Sequence, residues 1–162
     1  MNDHKLEIDT RFSELETIFA GNRQGFIPYR DKPTIRSDEF EKLVCVKDNE
    51  AVGFLVAYER PDFLAKEGFA VDFQPAKNCV YIWDVITRKD FQGRGVATFL
   101  IDCLVARFLG KDIYSVVDAR NVISFSLHEE AGFKSVLRFE HNLCGENETF
   151  DLLKLKNEKR SS

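Results

Sequence analysis

One stretch in the middle of the chain constrains the fold most, because it changes from strand to helix through two closely spaced glycines. Residues Cys79–Thr87 are, apart from Asp84, apolar, β-branched or aromatic, and they predict a strand. A polar spacer, Arg88–Gln92, separates this strand from Gly93-Arg94-Gly95. Apolar residues then recur at helical spacing over Val96–Leu109. The sequence therefore predicts a strand, a glycine turn and a long helix in direct succession.

The glycine turn is suited to binding an anion. Glycine lets a backbone turn tightly and approach a ligand closely. The first amides of a helix have no partner within the helix, and they lie at the positive end of its dipole. A cradle for a diphosphate is therefore one interpretation of Gln92–Ala97. An ordinary glycine turn before an amphipathic helix is the other.

Two common nucleotide-binding motifs fit this turn poorly. The dinucleotide fingerprint G-x-G-x-x-G opens a helix directly after a strand. Here Thr98 stands at the third glycine position, and a spacer separates the strand from the turn. The Walker A motif ends in Gly-Lys-Ser or Gly-Lys-Thr, and neither tripeptide occurs. A nucleotide-binding protein that uses the same turn remains an alternative hypothesis.

The rest of the chain predicts a mixture of helices and strands without internal repeats. Ser13 and Glu16 predict a capped helix that runs to Phe19, and residues 22–36 predict a loop. The further predicted elements are a short helix at Ser37–Lys42, strands at Leu43–Lys47 and Ala51–Tyr58 joined by a turn at Asp48–Glu50, a loop with one helical turn over residues 61–78, a strand at Ile113–Val117, a helix at Asn121–Ala131, and strands at Val136–Leu143 and Phe150–Leu155. We expect one domain over residues 1–156, followed by a flexible tail over residues 157–162.

Length and composition limit the class of protein. A chain of 162 residues with 44% apolar residues and fifteen Phe is long enough for one domain with its own core. The net charge of -4 argues against a nucleic-acid-binding protein, which usually carries the opposite balance. The longest apolar run falls far short of the ~20 residues of a membrane helix. The polar N-terminus is not typical of a signal peptide.

The cysteines and histidines indicate neither a disulfide framework nor a metal site. Cys45, Cys79, Cys103 and Cys144 are widely spaced and contain no C-x-x-C pair. The three histidines share no ligand spacing with each other or with cysteine. We therefore expect free thiols, a reducing cytoplasm and no metal.

Two segments of the chain together resemble a known enzyme family. Gln92-x-x-Gly95-x-Ala97 is similar to the Q/R-x-x-G-x-G/A signature of the GNAT superfamily of acetyl-CoA-dependent N-acyltransferases. Asn121 and the run Ser124–Phe133 resemble that family's second segment, in which an Asn precedes a helix that reads roughly A-x-x-[LF]-Y-E-x-x-G-F. The two segments have the family's order and separation, and they cover about residues 79–135.

The resemblance implies an α/β (α+β) fold with a mixed, bent sheet, splayed central parallel strands and flanking helices. The central strands would be about Tyr81–Thr87 and Ile113–Val117, with acetyl-CoA entering between them. The resemblance also implies a set of residues that bind acetyl-CoA. The backbone of Val85, Ile86 and Thr87 would pair with the pantetheine arm, the amides of Gln92, Gly93, Arg94, Gly95, Val96 and Ala97 would hold the diphosphate, and Asn121 would help to fix the cofactor.

The implied activity is an N-acetyltransferase that moves an acetyl group from acetyl-CoA to a primary amine by direct attack in a ternary complex. His128 stands where the family usually has a Tyr that protonates the departing thiolate, so His128 is the candidate general acid. Asp84 on the central strand is the candidate base. We expect a small-molecule amine or a peptide amine as acceptor, bound by residues 22–40 and 60–78. We also expect a monomer or homodimer with no nucleic-acid or membrane partner.

The replacement of that Tyr by His128 leaves a second hypothesis open. The protein would then be a non-catalytic acyl-CoA-binding sensor or interaction module on the same fold.

Overall fold

The computed structural model describes residues 6–9, 40–143 and 145–158. Within these ranges, seven strands form one sheet in the order β1-β2-β3-β4-β5-β7-β6. The strands are β1 (Glu7–Asp9), β2 (Phe40–Lys47), β3 (Glu50–Tyr58), β4 (Cys79–Thr87), β5 (Asp112–Asp118), β6 (Lys134–Leu143) and β7 (Glu146–Leu155). The helices are α1 (Phe63–Lys66), α2 (Val96–Arg107) and α3 (Val122–Glu130). β4 and β5 pair in parallel, whereas β1–β2, β5–β7 and β6–β7 pair antiparallel, so the expected mixed α+β fold is confirmed.

Most of the predicted elements are confirmed within a few residues of their predicted bounds. β4 has the predicted bounds, α2 ends shortly before the predicted Leu109, and α3 begins directly after Asn121. Asp48 and Asn49 form the turn between β2 and β3, with φ angles of 51° and 64°. Two residues with positive φ are typical of a tight hairpin turn. The predicted helix that runs to Phe19 and the loop at residues 22–36 lie outside the described residues.

Two local predictions are wrong. The second half of the helix predicted at Ser37–Lys42 belongs to β2, because Phe40 buries its ring against Trp83 with centroids 5.7 Å apart. The first half of that helix lies outside the described residues. Asn157, expected in a solvated tail, is buried, since its side-chain amide donates to the Phe108 carbonyl at 2.9 Å and its own carbonyl accepts from the Gly110 amide at 2.8 Å.

The chain divides into two compact units, each with its own buried side chains. The first unit comprises the residues up to Ala57 together with Trp83–Ala106, and the second comprises Tyr58–Ile82 together with the residues from Arg107 onward. The single domain over residues 1–156 stays a prediction. Across the described ranges, no helix combines the length and the apolar character that crossing a membrane demands.

In the first unit, Gly53 on β3 lies where β4 and α2 approach this strand closely. A Cβ atom at Gly53 would lie 2.6 Å from Val96 Cγ1, 2.9 Å from the Ile86 carbonyl oxygen and 3.5 Å from Leu100 Cδ1. The Ile86 oxygen belongs to the backbone, so it cannot rotate away as the end of a side chain can. Glycine at this position therefore allows the end of β4 and the start of α2 to pack against β3.

In the second unit, aromatic side chains attach the segment over residues 61–78. The predicted single helical turn in this segment is α1. Phe63 stacks on Tyr81, with ring centroids 4.5 Å and planes 7° apart. Phe69 packs edge-on against Phe139 of β6, with centroids 5.2 Å apart. These rings bury apolar area that a solvated loop would leave exposed.

The second unit also contains the turn that leads from β5 to α3, which Asp118 fixes. The Asp118 carboxylate is 2% exposed and accepts hydrogen bonds from the Arg120 amide at 2.9 Å and from two Arg120 guanidinium nitrogens at 3.1 and 2.8 Å. Arg120 also forms an ion pair with Glu148 at 3.0 Å. The hydrogen bonds from Arg120 hold the pKa of Asp118 below its usual range. The turn continues directly into Asn121 and α3.

The described cysteines are free thiols. Burial raises the pKa of Cys45 on β2 and of Cys79 on β4 to about 11. Cys103 on α2 is partly exposed, and burial raises its pKa as well. Cys144 lies outside the described residues.

Gly53→Ala is expected to lower the free energy of unfolding by about 1–3 kcal/mol, because the new methyl group overlaps Val96 and the Ile86 carbonyl. Removing the Val96 side chain relieves one of these overlaps. Val96→Ala should therefore destabilise the Gly53→Ala protein less than it destabilises the wild type. Chemical denaturation of the four proteins of this double-mutant cycle measures the coupling.

Gly68→Ala is the matched control for that cycle. Gly68 has a φ of 82°, but a Cβ there meets nothing within 4 Å. Alanine at this position costs backbone strain of about 1 kcal/mol and should show no coupling to Val96→Ala. Equal coupling for Gly53 and Gly68 would contradict the packing role of Gly53.

Asp118→Asn is expected to lower the free energy of unfolding by about 1–3 kcal/mol at neutral pH, because charged hydrogen bonds with Arg120 are lost. The pKa of Asp118 is lowered in the folded state. Its contribution is therefore complete above the unfolded-state pKa of about 4, and it is lost as the pH falls through the folded-state pKa. Urea denaturation over a range of pH should show the gap between wild type and variant closing in acid.

Asp102→Asn is the control for this measurement, since Asp102 is an exposed carboxylate on α2. It should change stability by less than about 0.5 kcal/mol. If the difference in unfolding free energy between wild type and Asp118→Asn stays constant as the pH falls, the Asp118 charge does not contribute to stability.

Candidate active site

Parallel pairing between the two central strands stops halfway along β4. The register pairs Cys79–Ile82 with Asp112–Ser115, whereas β4 continues to Thr87. The last part of β4 thus extends beyond the register of its parallel ladder.

Asp84, the candidate base, lies in this last part of β4 and is half-buried. Its neighbour Trp83 is buried, with its ring against Phe40. Successive side chains of a strand point to opposite faces, so Asp84 lies on the face opposite to Trp83 and Val85. The carboxylate is therefore on the face of β4 that does not carry the Trp83 ring.

A short 3-10 turn, Lys89–Phe91, connects β4 to the two glycines. Gly93 and Gly95 have φ angles of 77° and 80°, which residues with a Cβ rarely adopt. A Cβ at either position would meet no atom within 4 Å, so the backbone conformation, and not a lack of space, requires glycine. α2 begins directly after Gly95, whose carbonyl accepts a hydrogen bond from the Phe99 amide at 3.0 Å.

The amides that follow Phe91 have no acceptor within the described part of the protein. No backbone or side-chain oxygen there accepts a hydrogen bond from the amides of residues 92–98. The amides of residues 96–98 form the first turn of α2, at the positive end of the helix dipole. A run of unpaired amides at a helix start is suited to binding an anion such as a phosphate.

Arg88 attaches this turn to β3. Its backbone amide donates to the Val52 carbonyl at 2.8 Å. Its guanidinium donates to Asp90 at 2.7 and 3.0 Å and to Glu50 at 3.4 Å. The hydrogen bond with Arg88 is the main reason why the pKa of Asp90 is lowered. The unpaired amides are therefore held in place by contacts that do not involve those amides.

Asn121 caps α3 in the second unit. Its side-chain oxygen accepts a hydrogen bond from the Ser124 amide at 3.1 Å, and its carbonyl accepts one from the Phe125 amide at 3.0 Å. An Asn at this position stabilises a helix start by satisfying one of its unpaired amides. Asn121 thus has a structural function that does not depend on a ligand.

His128 on α3 is 1% exposed and packs edge-on against Phe133, with ring centroids 5.1 Å apart. Its Nδ1 lies 2.7 Å from the Ser124 carbonyl oxygen, so Nδ1 carries the proton and Nε2 is an acceptor. Nε2 is buried and has no hydrogen-bond partner among the described residues. Burial lowers the pKa of His128, so the neutral ring is favoured at pH 7.

The predicted site residues fall into two groups, one in each unit. The first unit holds Asp84, Val85–Thr87 and Gln92–Ala97 on one continuous stretch of chain, and the second holds Asn121 and His128 at the start and within α3. Sequence analysis did not identify Gly53. A glycine inside a run of strand residues is the signal that could have indicated its close contacts.

Comparison with solved structures gives similar folds at low sequence identity. The ribosomal-protein-S18-alanine N-acetyltransferase from Escherichia coli has a TM-score of 0.70 and 12% identity, over 97% of each chain. Arabidopsis thaliana NAA60 in complex with acetyl-CoA has a TM-score of 0.72 and 18% identity, over 93% of this chain and 98% of its own. A spermidine N-acetyltransferase SpeG chimera from Vibrio cholerae and hSSAT has a TM-score of 0.68 and 16% identity, over 94% of this chain and 95% of its own. At these identities, the similarity establishes the fold.

Comparison with sequences gives the family. No curated protein sequence matches the chain significantly. The model of the acetyltransferase (GNAT) family matches residues 9–133, which is more than half of the chain. The matched range contains both segments that resemble the family's motifs, the glycine turn and the run that ends at Phe133. The chain therefore belongs to the GNAT acetyltransferase family.

Proposed function

We propose that the protein is an N-acetyltransferase that moves an acetyl group from acetyl-CoA to a primary amine, by direct attack of the amine in a ternary complex. The observation that carries this proposal is the run of amides at residues 92–98, which have no acceptor among the described residues and include two glycines of positive φ, in a chain of this family. The names of similar structures support it. One is a complex with acetyl-CoA, and two are named for N-acetylation of a ribosomal-protein alanine and of spermidine.

The chemistry of the turn and of β4 fits acetyl-CoA. The diphosphate is an anion, and the amides of Gln92–Ala97 are donors that no described protein group uses. The backbone of Val85, Ile86 and Thr87 would bind the pantetheine arm by hydrogen bonds, as it would bind an added strand. Asn121 would contribute the N–H groups of its side chain, because its oxygen is used in the helix cap.

Three groups of this chain then have distinct tasks. An alkyl amine has a pKa near 10 and is protonated at pH 7, so the Asp84 carboxylate accepts its proton, directly or through water. Backbone N–H groups near Ile86 donate to the acetyl oxygen where negative charge develops. His128 supplies a proton to the departing thiolate. Acetyl-CoA supplies the activated thioester, and the protein gains rate by holding it beside the amine.

The surroundings of His128 oppose its proposed function as a proton donor. The Nδ1 proton is engaged by the Ser124 carbonyl, so donation requires that Nε2 first takes up a proton. Burial opposes the charged ring that results. This observation favours a second candidate function, a non-catalytic acyl-CoA-binding sensor or interaction module, in which Nε2 only accepts a hydrogen bond.

We also propose the wider properties of the protein. These are a single domain, a small-molecule or peptide amine as acceptor, a monomer or homodimer as the working form, and a cytoplasmic location. The free thiols of Cys45, Cys79 and Cys103 support a reducing compartment. The net charge of -4 favours the absence of a nucleic-acid partner.

Gly95→Ala is expected to weaken the binding of acetyl-CoA by about tenfold or more, because alanine disfavours the φ of 80° on which the turn depends. Isothermal titration calorimetry measures this effect. Gly145→Ala is the matched control, since Gly145 has a φ of 89° and open space at its Cβ position but lies between β6 and β7. A wild type that does not bind acetyl-CoA, or a Gly95→Ala protein that binds like the control, would contradict the proposed cradle.

Release of free thiol from acetyl-CoA across a panel of amines separates the enzyme from the sensor. The panel contains spermidine, other small amines and peptides with free N-termini. With an accepted amine, Asp84→Asn should lower kcat by about 10²–10⁴-fold, whereas Asp102→Asn on α2 should retain it. Tight acetyl-CoA binding without thiol release for any amine would favour the sensor.

His128→Phe tests the proton donor in the same assay. Burial lowers the pKa of His128 below its ordinary value of about 6.5. A rate that depends on the protonated ring should therefore fall as the pH rises, and this fall should be centred below pH 6.5. The variant should lose this pH dependence along with most of its rate. An unchanged rate and an unchanged pH profile would remove His128 from the chemistry.

A further inference from the structure

The second unit contains a long strand at one edge of the sheet. β6 stands last in the strand order, and among the described strands it pairs with β7 alone. It has ten residues, whereas β1, at the other end of the order, has three. The side of β6 that faces away from β7, its outer edge, therefore presents backbone N–H and C=O groups that no described strand uses. Such an edge is a template for pairing with another extended segment.

A β-bulge limits the part of this edge that can form a regular ladder. Val136 is an extra residue on β6, because Ser135 and Leu137 pair with consecutive residues of β7. From Leu137 to Leu143, the register with β7 advances one residue at a time. A straight partner strand can therefore pair with β6 on the C-terminal side of Val136, and the bulge interrupts any ladder that extends further.

The regular part of β6 carries two opposite charges, Arg138 and Glu140. Their side chains lie on the same face of the strand, because side chains alternate between faces. Glu140 is exposed and has no ion pair with a described residue. Arg138 donates from Nε and Nη2 to the buried Asp151 carboxylate at 3.1 and 3.0 Å, yet its side chain is 65% exposed. A guanidinium has five N–H groups, so Arg138 retains donors for a second carboxylate.

A second copy of β6 in antiparallel orientation matches this pattern. In a pair with two-fold symmetry, each contact between two residues occurs twice. When Phe139 lies opposite Phe139 of the second copy, Arg138 lies opposite Glu140 in both directions. A symmetric pair centred on residue 138 or 140 would instead place two arginines or two glutamates opposite each other, which is unfavourable. Charges on an edge usually discourage pairing, but this register turns them into attractions.

We propose that the outer edge of β6 is the interface of a homodimer, in which two copies of β6 pair antiparallel over residues 137–141 with Phe139 at the centre. The edge is complementary to itself in charge, and this register keeps the ladder clear of the bulge at Val136. The half-buried Phe139 ring, which packs edge-on against Phe69, would also meet its counterpart across the two-fold axis. The proposal goes beyond the proposed function, since acetyl-CoA takes no part in it.

Sedimentation velocity of the wild type and of Glu140→Lys tests the interface. The wild type should form a dimer as its concentration is raised. Glu140→Lys places a cation opposite Arg138 twice in each dimer, so its dissociation constant should rise by about tenfold or more. The exposed Glu140 side chain has no described partner, so the variant is expected to fold.

Glu130→Lys is the matched control, because it makes the same change in net charge at another exposed position. Glu130 is the last residue of α3 and does not belong to β6. Its dimer should dissociate like that of the wild type. An equal effect of both substitutions would mean that net charge governs association, and it would overturn the proposed interface.

Hydrogen exchange of the wild type locates the contact without any substitution. As the dimer forms, the amides of residues 137–141 should exchange more slowly, whereas those of residues 7–9 on β1 should not change. A dimer without this protection would place the contact elsewhere and overturn the proposal. A wild type that stays monomeric at about 100 μM would also overturn it, and would leave the edge to an extended segment of another protein. These outcomes do not decide whether acetyl-CoA binds, which calorimetry measures separately.

Discussion

The close approach of β4 and α2 to Gly53 is the packing constraint on which the first group of site residues depends. Because Gly53 has no side chain, the Ile86 carbonyl and Val96 occupy the space that a methyl group would need. Ile86 belongs to the strand segment proposed for the pantetheine arm, and Val96 begins the helix proposed for the diphosphate. The lack of a side chain at one position on β3 therefore determines how closely both segments approach this strand. The hydrogen bond from Arg88 to Val52 fixes the intervening turn beside it.

The same region contains backbone amides that have no acceptor among the described residues. Folded chains pair nearly all of their buried backbone polar groups, whereas exposed amides can be paired by water. Residues 92–95 are exposed, and a ligand could replace water on their amides. In the second unit, Nε2 of His128 is a buried acceptor without a described partner. Local departures from pairing of this kind are typical of sites where a ligand completes the hydrogen bonds.

Local sequence patterns were sufficient to predict the elements that carry the site. The strand Cys79–Thr87 and the helix that follows Gly95 are each indicated by residue types that are adjacent or closely spaced in the sequence. Contacts between residues that are distant in the sequence were not predictable. Examples are the contacts of Phe40 with Trp83, of Asn157 with Phe108 and of Lys47 with Phe91. The functions of Asp84 and His128 came from the family resemblance and stay predictions. The tautomer and burial of His128 depend on the folded chain, which no pattern of residue types specifies.

The buried thiols have a consequence for a protein whose proposed reaction liberates coenzyme A. With a pKa of about 11, roughly one Cys45 or Cys79 side chain in ten thousand is ionised at pH 7. Only the ionised sulfur attacks a disulfide. Oxidised coenzyme A in the surroundings would therefore form mixed disulfides with these two positions very slowly. Cys45 and Cys79 are thus protected from S-thiolation by the oxidised form of the proposed product.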